Sequence, residues 1–417
     1  MTIGLRKSRR LSAVGGSATV ALNDRIRDLV STGRKVYNLA AGDPDFPTPA
    51  RICEAAATAM QRGETHYGPS RGSLRLRRAI SSQLMLENGQ LFDPATEIIV
   101  TASAKLALFI TLAALLDPGD ESLVLTPSWV SYCDMVKVLG ASAVQVRLLA
   151  SDGFRVRSDQ LRRMVTRRTK VLIVNSPNNP TGRVYDREEV EALVSIARDH
   201  DLAIVSDEIY NHIIFGTKFV SPAGLQGGRD RTLIVNGFSK TFAMTGWRLG
   251  FLAGPEPIVG EVLKMQQHTI SCASPFLQTA AAVALEECWR EADAMRSEYE
   301  RRTELVVEKL RRIPGVSCHE PQGSFYVFIQ VGPPAQVDDV ALSRWLVEEV
   351  GVATAPGSAF GAGGEGHLRL ALTCPQEELV EACGLLSQAL PVALEDSNLM
   401  TRQPRSGSQE QAVKAPA

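Results

Sequence analysis

The sequence predicts an α/β fold in two domains: a large domain with a mostly parallel seven-stranded sheet between helices, and a smaller α/β domain. Between residues 98 and 253, short apolar runs of strand length alternate with segments of helical spacing, which is typical of a parallel sheet covered on both faces. A further set of strand and helix patterns follows a long charged helix predicted over residues 286–312. The chain's 417 residues also exceed the size at which one core usually keeps growing.

These observations set the expected domain limits. We expect residues 1–45 to form an N-terminal arm and part of the small domain, 46–300 the large domain, 301–392 the small domain and 393–417 a disordered tail. The tail is polar and lacks periodicity, so no packed structure is expected there.

The individual elements follow from periodicity and from turn residues. A helix is predicted at 23–30, and a short strand at 36–41 ends in AGDPDFPTP, where the prolines exclude regular structure. Thr48 is expected to cap the helix that runs from Pro49 to Met60. The strands of the large sheet are predicted at 98–101, 122–125, 143–146, 171–175, 203–206, 232–235 and 249–253, and further helices at 74–86, 106–116, 130–139 and 188–200. In the small domain, strands are predicted at 325–331 and 368–373, and helices at 341–349 and 376–390.

Bulk composition narrows the functional class. A net charge of -1 gives no electrostatic case for binding nucleic acid. No apolar run approaches the roughly 20 residues that a membrane span needs, and the basic N-terminus lacks the apolar segment of a signal peptide. The seven cysteines are scattered singly, which argues against a disulfide framework. We therefore expect a soluble, cytoplasmic protein with no nucleic-acid or membrane partner.

The segment NGFSKTFAMTGWRLG at 236–250 carries the strongest chemical signal. Lys240 stands among small and apolar residues, where a lysine has a lowered pKa and can form a Schiff base with a carbonyl. Arg248 follows in the same segment, and an arginine binds a phosphate dianion bidentately. A lysine after a strand is, by itself, most often a solvated loop residue. An amine for an aldehyde and a guanidinium for a phosphate together indicate pyridoxal 5'-phosphate.

Polar residues at the ends of predicted strands fit the rest of that cofactor. Asp207 ends a buried strand and is expected to pair with a cation such as a protonated pyridine nitrogen, the alternatives being a helix cap or a surface acid. Asn179, in the turn sequence NSPNNPTG, and Tyr210 are expected at the same strand ends, where they would donate to the ring's phenolic oxygen.

A phosphate site is expected where the next helix begins. Ser103, Ala104 and Lys105 follow a strand and open a helix, whose free N–H groups suit a phosphate. Trp129, on the loop after another strand, is interpreted either as a stacking partner of the pyridine ring or as ordinary core.

A carboxylate site is expected on the small domain. Arg369 interrupts the apolar alternation of HLRLAL, and an inward-facing arginine there needs an anion such as the α-carboxylate of an amino acid. Gly42, which has no side chain, would let backbone approach that carboxylate closely.

Two glycine patterns that suggest other activities lack the context that those activities require. Gly68, Ser70 and Gly72 match the G-x-S-x-G of serine hydrolases, but no strand pattern precedes them. The G-x-G-x-x-G at 361–366 is followed, not preceded, by a strand, so we interpret it as a loop.

Together these motifs resemble the fold type I, class I aminotransferases, especially the bacterial aspartate aminotransferase branch. The Schiff-base signature of that family is matched in place by Gly237, Ser239, Lys240, Ala243, Gly246, Arg248 and Gly250. In family order, from about residue 17 to residue 390, the chain contains AGDPDFPTP, THYGP, TPSW, NSPNNPTG, SDEIY, FSKTFAMTGWR, PGSAFG and HLRLA. The resemblance implies a pyridoxal-phosphate-dependent transaminase with a ping-pong mechanism, in which Lys240 carries the internal aldimine and acts as general base and acid.

The resemblance also implies which residues form the site. The catalytic residues would be Lys240, Asp207 and Tyr210. The cofactor would be held by Ser103, Ala104, Lys105, Trp129, Asn179, Asp207, Tyr210, Lys240, Arg248 and Tyr67. The substrate would be held by Gly42, Trp129, Asn179 and Arg369. Tyr67 is implied to reach the phosphate of the neighbouring subunit, so the resemblance also implies a homodimer.

The sequence departs from the family pattern at two places. Gly237 stands where many members have a phosphate-binding serine, so the phosphate is expected to be held more weakly or with more help from Lys105. The helix at 106–116 has no basic residue to meet a second substrate carboxylate, which puts aspartate in doubt and leaves a neutral or apolar substrate open.

Two alternatives remain at this stage. The same cofactor on the same fold also supports β-lyase, cyclising and oxidative reactions, and these motifs bind the cofactor rather than choose among reactions. Aminotransferase-like domains also occur as sensors fused to a DNA-binding domain, but the region before residue 36 is too short and too poorly patterned for a winged helix.

Overall fold

The structure is a computed structural model that describes residues 8–12, 14–16, 18–334 and 336–395. Most of the predicted disordered tail, residues 396–417, therefore lies outside the described residues. Residues 393–395 of that predicted tail are helical, because the last helix continues through Pro391 and buries Ala393. The domain limits set above stay predictions.

Every strand predicted from the apolar runs is present, and three short strands of the smaller unit, at 316–318, 352–353 and 355–356, were not predicted. The strands are β1 (Tyr37–Asn38), β2 (Ile98–Thr101), β3 (Glu121–Thr126), β4 (Ser142–Arg147), β5 (Thr169–Asn175), β6 (Ala203–Asp207), β7 (Thr232–Gly237), β8 (Gly250–Ala253), β9 (Val316–Cys318), β10 (Tyr326–Val331), β11 (Val352–Ala353), β12 (Ala355–Pro356) and β13 (His367–Ala371).

The large sheet has seven strands in the order β2-β8-β7-β6-β5-β3-β4. Strands β7, β6, β5, β3 and β4 pair in parallel, whereas β8 is antiparallel to both of its neighbours, β2 and β7. All residues of β2, β3, β7 and β8 are buried, as expected for a sheet with helices on both faces. The predicted mostly parallel sheet is confirmed.

The helices cover this sheet and build the smaller unit. They are α1 (Arg9–Ser12), α2 (Ala18–Ser31), α3 (Ala50–Gln61), α4 (Leu74–Asn88), α5 (Ala104–Leu115), α6 (Ser131–Val138), α7 (Ser158–Met164), α8 (Arg187–Asp199), α9 (Glu256–Thr269), α10 (Pro275–Glu287), α11 (Trp289–Leu310), α12 (Asp339–Trp345) and α13 (Gln376–Glu395). Short 3₁₀ turns lie at Ala150–Asp152, Pro222–Gly224, Thr245–Trp247 and Gly357–Phe360, and a π turn at Leu346–Val350. Within the described residues, no helix is long and apolar enough to cross a membrane.

The helix predictions differ from the structure in three ways: in the range of one helix, in one helix cap, and in helices that were not predicted. The helix expected over 286–312 corresponds to α11 and begins only at Trp289, because the backbone leaves helical geometry at Cys288 (φ −112°, ψ 24°), where the separate helix α10 ends. Thr48 does not cap α3: its hydroxyl donates to the carbonyl of Ala243 at 2.7 Å and accepts from the indole of Trp247 at 3.0 Å. Helices α1, α7, α9 and α10 were not predicted. In α7 two arginines close a segment of only seven residues, too short for periodicity to identify.

A second, smaller α/β unit lies around an antiparallel sheet with the order β12-β13-β10-β9. The N-terminal strand β1 pairs in parallel with β11 of this unit, Tyr37 opposite Val352. Tyr37 and Leu39 are buried in the same core as β10, β13, α11 and α13. The chain before α3 therefore packs with this unit, which brings Gly42 beside the edge of the large sheet.

The fold gathers polar residues at one edge of the large sheet. Asn175 at the end of β5 pairs with Asp207 at the end of β6, and Asp207 pairs with Val235 of β7. Because parallel strands end at the same edge, the segments that follow them meet there. The site described next lies at this edge.

Candidate active site

A cavity of about 490 Å³ opens beyond the carboxyl ends of the large sheet's strands. Of the sequence-predicted site residues, those that line it are Gly42, Ser103, Ala104, Lys105, Trp129, Asn179, Asp207, Tyr210, Lys240, Arg248 and Arg369. Tyr67 does not line this cavity, and its side chain is 90% exposed. The structure thus brings together every predicted site residue except the one that the family resemblance assigned to the neighbouring subunit.

Lys240 follows β7 and points its amine into the cavity. The Nζ atom donates to the carbonyl oxygen of Gly42 at 2.6 Å and lies 5.6 Å from the centre of the Phe325 ring. Burial lowers the pKa of Lys240 to about 8, with Arg369 lowering it further and Asp43 opposing the shift. The amine is therefore nucleophilic much nearer neutral pH than an exposed lysine.

Asp207 is buried and presents its carboxylate to the cavity between fixed donors. One oxygen, Oδ2, accepts from the hydroxyl of Tyr132 at 2.7 Å, and Oδ1 accepts from the backbone N–H of Ile209 at 3.3 Å. The backbone carbonyl of Asp207 accepts from the side-chain amide of Asn175 at 3.0 Å. Burial raises the pKa of Asp207 to about 6, while Tyr132, Ile209 and Lys240 act to lower it. Asp207 is thus a buried acid facing a cavity, as expected for the partner of a ligand cation.

Tyr210 shares its hydroxyl with a residue that the sequence analysis missed. The hydroxyls of Tyr210 and Tyr326 lie 3.0 Å apart, both side chains are buried, and burial raises the pKa of Tyr210 well above its usual range. The hydroxyl of Tyr326 also explains the glycine at 42: a Cβ there would lie 1.9 Å from it. Only a glycine fits at position 42 beside the Tyr326 hydroxyl. The backbone carbonyl of Gly42 accepts the hydrogen bond from Lys240.

Arg369 on β13 is a buried cation bonded to neutral groups. Its Nη1 donates to Oδ1 of Asn179 at 3.0 Å, its Nη2 donates to the carbonyl of Ala40, and its Nε has no hydrogen-bond partner among the described residues. The guanidinium lies over the Tyr326 ring, 4.4 Å from its centre. No carboxylate of the described chain pairs with it, so an incoming anion would meet a desolvated arginine with a free donor.

A positively charged corner lies where α5 begins. Ser103 caps this helix, accepting from the N–H of Leu106 at 3.2 Å, and its own φ of 93° is unusual for a residue other than glycine. The first-turn amides of Ala104 and Lys105 have no carbonyl one helical turn before them to accept their hydrogen bonds, so they are available to an anion. Burial and the nearby Arg248 both lower the pKa of Lys105.

Two glycines allow the backbone segments around this positively charged corner to pack closely together. An added Cβ at Gly250 would lie 2.3 Å from the amide nitrogen of Ala104, and one at Gly237 would lie 2.9 Å from the carbonyl oxygen of Leu249. A side chain at 237 would therefore require a backbone shift. Position 237 can contribute only backbone to an anion here; whether this weakens phosphate binding stays a prediction.

Trp129 is half-buried at the cavity wall and in contact with other aromatic and charged groups. Its ring meets the Tyr132 ring edge-on, with centroids 5.4 Å apart, and the amine of Lys105 lies 4.7 Å from its centre. It also packs on the core beside α5 and α6, and its stacking on a pyridine ring stays a prediction.

Several cavity residues were missed by sequence reasoning. They are Ile26, Arg27, Asn38, Ala40, Ala41, Asp43, Leu108, Tyr132, Asn175, Ile209, Thr245 and Tyr326. A signal existed for Tyr132, which lies one helical turn after Trp129, and for Asn175, which ends a predicted strand. The contribution of α2, through Arg27, carries no such local signal.

The chemistry of the cavity fits a phosphorylated aldehyde with a basic ring nitrogen. The nucleophilic amine of Lys240 suits the aldehyde, the carboxylate of Asp207 suits the ring nitrogen, and Arg248 with the α5 amides suits the phosphate. Arg369, with its unpartnered Nε, leaves room for a second anion.

Comparison with known proteins agrees with this geometry. Residues 34–386 match the sequence model of the family "Aminotransferase class I and II". The aspartate aminotransferase of Musicola paradisiaca (strain Ech703) is 40% identical over 382 residues, covering 91% of this chain and 96% of the relative. The aspartate/prephenate aminotransferase of Thermus thermophilus is 40% identical over 386 residues, covering 92% and 98% respectively.

Solved structures agree as well. The aspartate aminotransferase from Thermus thermophilus with maleate superposes with a TM-score of 0.88 at 39% identity, covering 92% of this chain and 100% of that chain. The aromatic aminotransferase from Pyrococcus horikoshii OT3 gives a TM-score of 0.83 at 41% identity, covering 88% of this chain and 99% of that chain. This chain therefore belongs to the class I and II aminotransferases, and it is a fold type I transaminase that uses pyridoxal phosphate to move an amino group between an amino acid and a 2-oxo acid.

Proposed function

We propose that Lys240, Asp207 and Tyr210 carry the transamination and that the other cavity residues hold the cofactor and the substrate. The strongest support is that one cavity contains a buried amine, a buried carboxylate and a buried arginine that has no anionic partner among the described residues. When bound, pyridoxal phosphate supplies an aldehyde that condenses with amines and a ring that takes up an electron pair.

Each protein group then has a distinct task. Lys240, as a free amine with a pKa near 8, removes the substrate's α-proton and later returns one. Asp207 holds positive charge on the ring nitrogen. Tyr210 and Asn179 donate to the ring's phenolic oxygen, and Trp129 covers the ring. Arg248 and the amides of Ala104 and Lys105 bind the phosphate, with Ser103 shaping that turn.

Arg369 orients the substrate. Its guanidinium is already positioned by Asn179 and by Ala40, so little ordering is needed when a planar α-carboxylate binds. Because every amino acid carries this carboxylate, Arg369 sets the common geometry and not the choice of side chain.

A half-reaction tests the reaction type. The holoenzyme mixed with an amino acid alone should convert its visible absorption to that of the pyridoxamine form and release one 2-oxo acid per site. Adding a 2-oxo acid should reverse the change. Release of ammonia, or of pyruvate from donors other than alanine, would instead indicate a lyase and refute the proposal.

Acidic amino acids are proposed to be among the donors. The α5 helix indeed lacks a basic residue beyond Lys105, but Arg27 of α2 lines the cavity from another side. Its only ion pair among the described residues is with Asp24, 3.0 Å away and exposed. The relatives named for aspartate, and the Thermus structure with maleate, a dicarboxylate, support a cavity that accepts two carboxylates.

Arg27→Ala tests that proposal, with Arg25→Ala on the same helix as the matched control. Arg25 pairs with Glu348 and does not line the cavity. We expect Arg27→Ala to raise KM for aspartate and glutamate about two- to fivefold and to leave neutral donors unchanged. Equal effects of both variants, or on all donors, would exclude Arg27 from substrate selection.

The enzyme is proposed to act as a cytoplasmic homodimer in which Tyr67 serves the neighbouring subunit's phosphate. Tyr67 is 90% exposed and lies outside its own cavity, which supports a role in a second copy of the chain. Mixing inactive Lys240→Ala with Tyr67→Ala subunits should produce mixed dimers with one intact site and better cofactor retention than Tyr67→Ala alone. A monomer by sedimentation, or no gain on mixing, would contradict it.

A further inference from the structure

Tyr132 contacts both of the groups proposed to lie against the cofactor ring. Its hydroxyl donates to Oδ2 of Asp207 at 2.7 Å, and its ring meets Trp129 edge-on with centroids 5.4 Å apart. The side chain is 1% exposed, so the phenol cannot exchange this contact for one with water. We propose that Tyr132 is a positioning residue, which fixes the Asp207 carboxylate toward the ring nitrogen and braces Trp129 at the cavity wall. This inference rests on the role proposed for Asp207.

The geometry leaves the Tyr132 hydroxyl one use. A phenol can donate only one hydrogen bond, and here Asp207 Oδ2 accepts it. Burial and the adjacent Asp207 both raise the pKa of Tyr132 well above its usual range, so the phenol stays protonated and remains a donor. A hydrogen bond from a neutral donor to a carboxylate is a strong one and favours the charged acid.

The other groups around Asp207 cannot replace this contact. The N–H of Ile209 reaches Oδ1 at 3.3 Å, a long hydrogen bond that leaves Oδ2 to Tyr132. Among the titratable groups near Asp207, the amine of Lys240 favours its charged form. Glu208 and Tyr210 hold protons whose pKa values Asp207 raises, so they supply no positive charge in place of the lost donor. Without Tyr132 the carboxylate would keep one long hydrogen bond and could rotate.

Helix α6 is built to deliver both contacts. Tyr132 is the second residue of α6, and Trp129 lies just before the helix, with its carbonyl accepting from the backbone N–H of Tyr132 at 3.2 Å. Tyr132 packs in the core formed by α5, α6 and the middle of the sheet. The phenol is therefore held by core packing and aimed at the end of β6, and this rigid support is what a precise charged contact needs.

Tyr132→Phe tests the inference, because it keeps the ring and its edge contact with Trp129 and removes only the donor. We expect kcat to fall about tenfold or more, the scale of losing one hydrogen bond to a charged group, while KM for the amino donor changes less than twofold. In the cofactor-free protein, the Asp207 carboxyl, followed by carbon NMR, should titrate about one pH unit higher than in the parent. An unchanged titration would overturn the proposal.

Two further variants distinguish the Tyr132 inference from a general effect of losing a buried hydroxyl and from the role proposed for Asp207. Tyr299→Phe removes another buried hydroxyl, one without a partner among the described residues, and should leave kcat and the Asp207 titration unchanged. Asp207→Asn tests the underlying role. If it loses activity while Tyr132→Phe keeps it, the Tyr132 inference fails alone. If Asp207→Asn keeps full activity, the role proposed for Asp207 fails.

Discussion

Two carboxylates stand side by side at the end of β6 and face opposite sides of the sheet edge. Asp207 faces the cavity, where Tyr132 and the amine of Lys240 favour its charged form, and burial raises its pKa only to about 6. Glu208 faces away, and burial raises its pKa to about 8. Both are nearly inaccessible, so burial alone does not separate them.

The difference lies in their partners. Glu208 Oε1 accepts from the hydroxyls of Ser206 at 2.9 Å and Ser221 at 2.6 Å, while Oε2 has no partner among the described residues. The nearby Glu87 adds negative charge and raises its pKa further. Burial and the like charge of Glu87 keep Glu208 a neutral acid at pH 7 even though its two serine donors oppose this. The Tyr132 hydroxyl, the N–H of Ile209 and the amine of Lys240 together keep Asp207 ionised. The cavity side is therefore arranged for charge and the opposite side for packing.

The largest expected effect comes from removing Lys240, the amine on the cavity side of the sheet edge. Lys240→Ala should lower turnover by roughly 10⁴-fold, because it removes the proposed base and nucleophile together. Stability of the cofactor-free protein should not fall, since the change removes an amine whose charged form is disfavoured by burial. Steady-state rates and thermal melting of the same preparations measure both effects.

Lys264→Ala is the matched control for that change, because Lys264 is an exposed lysine on α9. It should leave turnover and melting unchanged. Retained turnover in Lys240→Ala, with borohydride still fixing the cofactor to the protein, would show that another amine does the work.

Arg369→Ala should have the next largest effect, on binding. Removing the buried guanidinium leaves the substrate's α-carboxylate unpaired in a desolvated site, which corresponds to a rise in KM of about a hundredfold for every amino donor. Arg369→Lys keeps the charge but not the planar guanidinium, so its KM should lie between those of the parent and of Arg369→Ala. A rise confined to one donor would mean that Arg369 reads the side chain instead.

On the cavity side, the sequence predicted those lining residues that directly follow a buried strand. Asp207 and Asn179 were identified because buried strands end beside them, and Lys240 because its motif is distinctive. Alternation along a strand also indicates that Asp207 and Glu208 face opposite sides, but not which side the cavity is on.

The missed residues come from elements whose position only the tertiary structure determines. Tyr326 enters from β10 and Arg27 from α2, so neither lies near the motif in sequence. Gly42 was identified as a close approach, but its cause, the Tyr326 hydroxyl 1.9 Å from where a Cβ would stand, depends on packing between the two sheets. A glycine in the sequence indicates that another group approaches the backbone closely, but the sequence does not show which atom that is.

The smallest expected effect lies on the opposite side and concerns stability alone. The pKa of Glu208 is about 8 in the folded protein, against about 4.5 for a free glutamate, so between those values the folded state holds a proton that the unfolded state releases. The free energy of unfolding therefore falls as pH rises through this window. Glu208→Gln keeps the shape, removes the titration, and should leave turnover unchanged.

The stabilising effect of Glu208→Gln should accordingly grow with pH. We expect little difference in Tm from the parent at pH 5, a difference of roughly 2 °C or more by pH 8, and no further growth above that. Glu304→Gln, at an exposed position on α11, is the control and should give a small difference that does not vary with pH. If Glu208→Gln instead shifted Tm equally at every pH, Glu208 would not be a buried neutral acid. If it lowered kcat, the separation between a charged cavity side and a packed opposite side would be wrong.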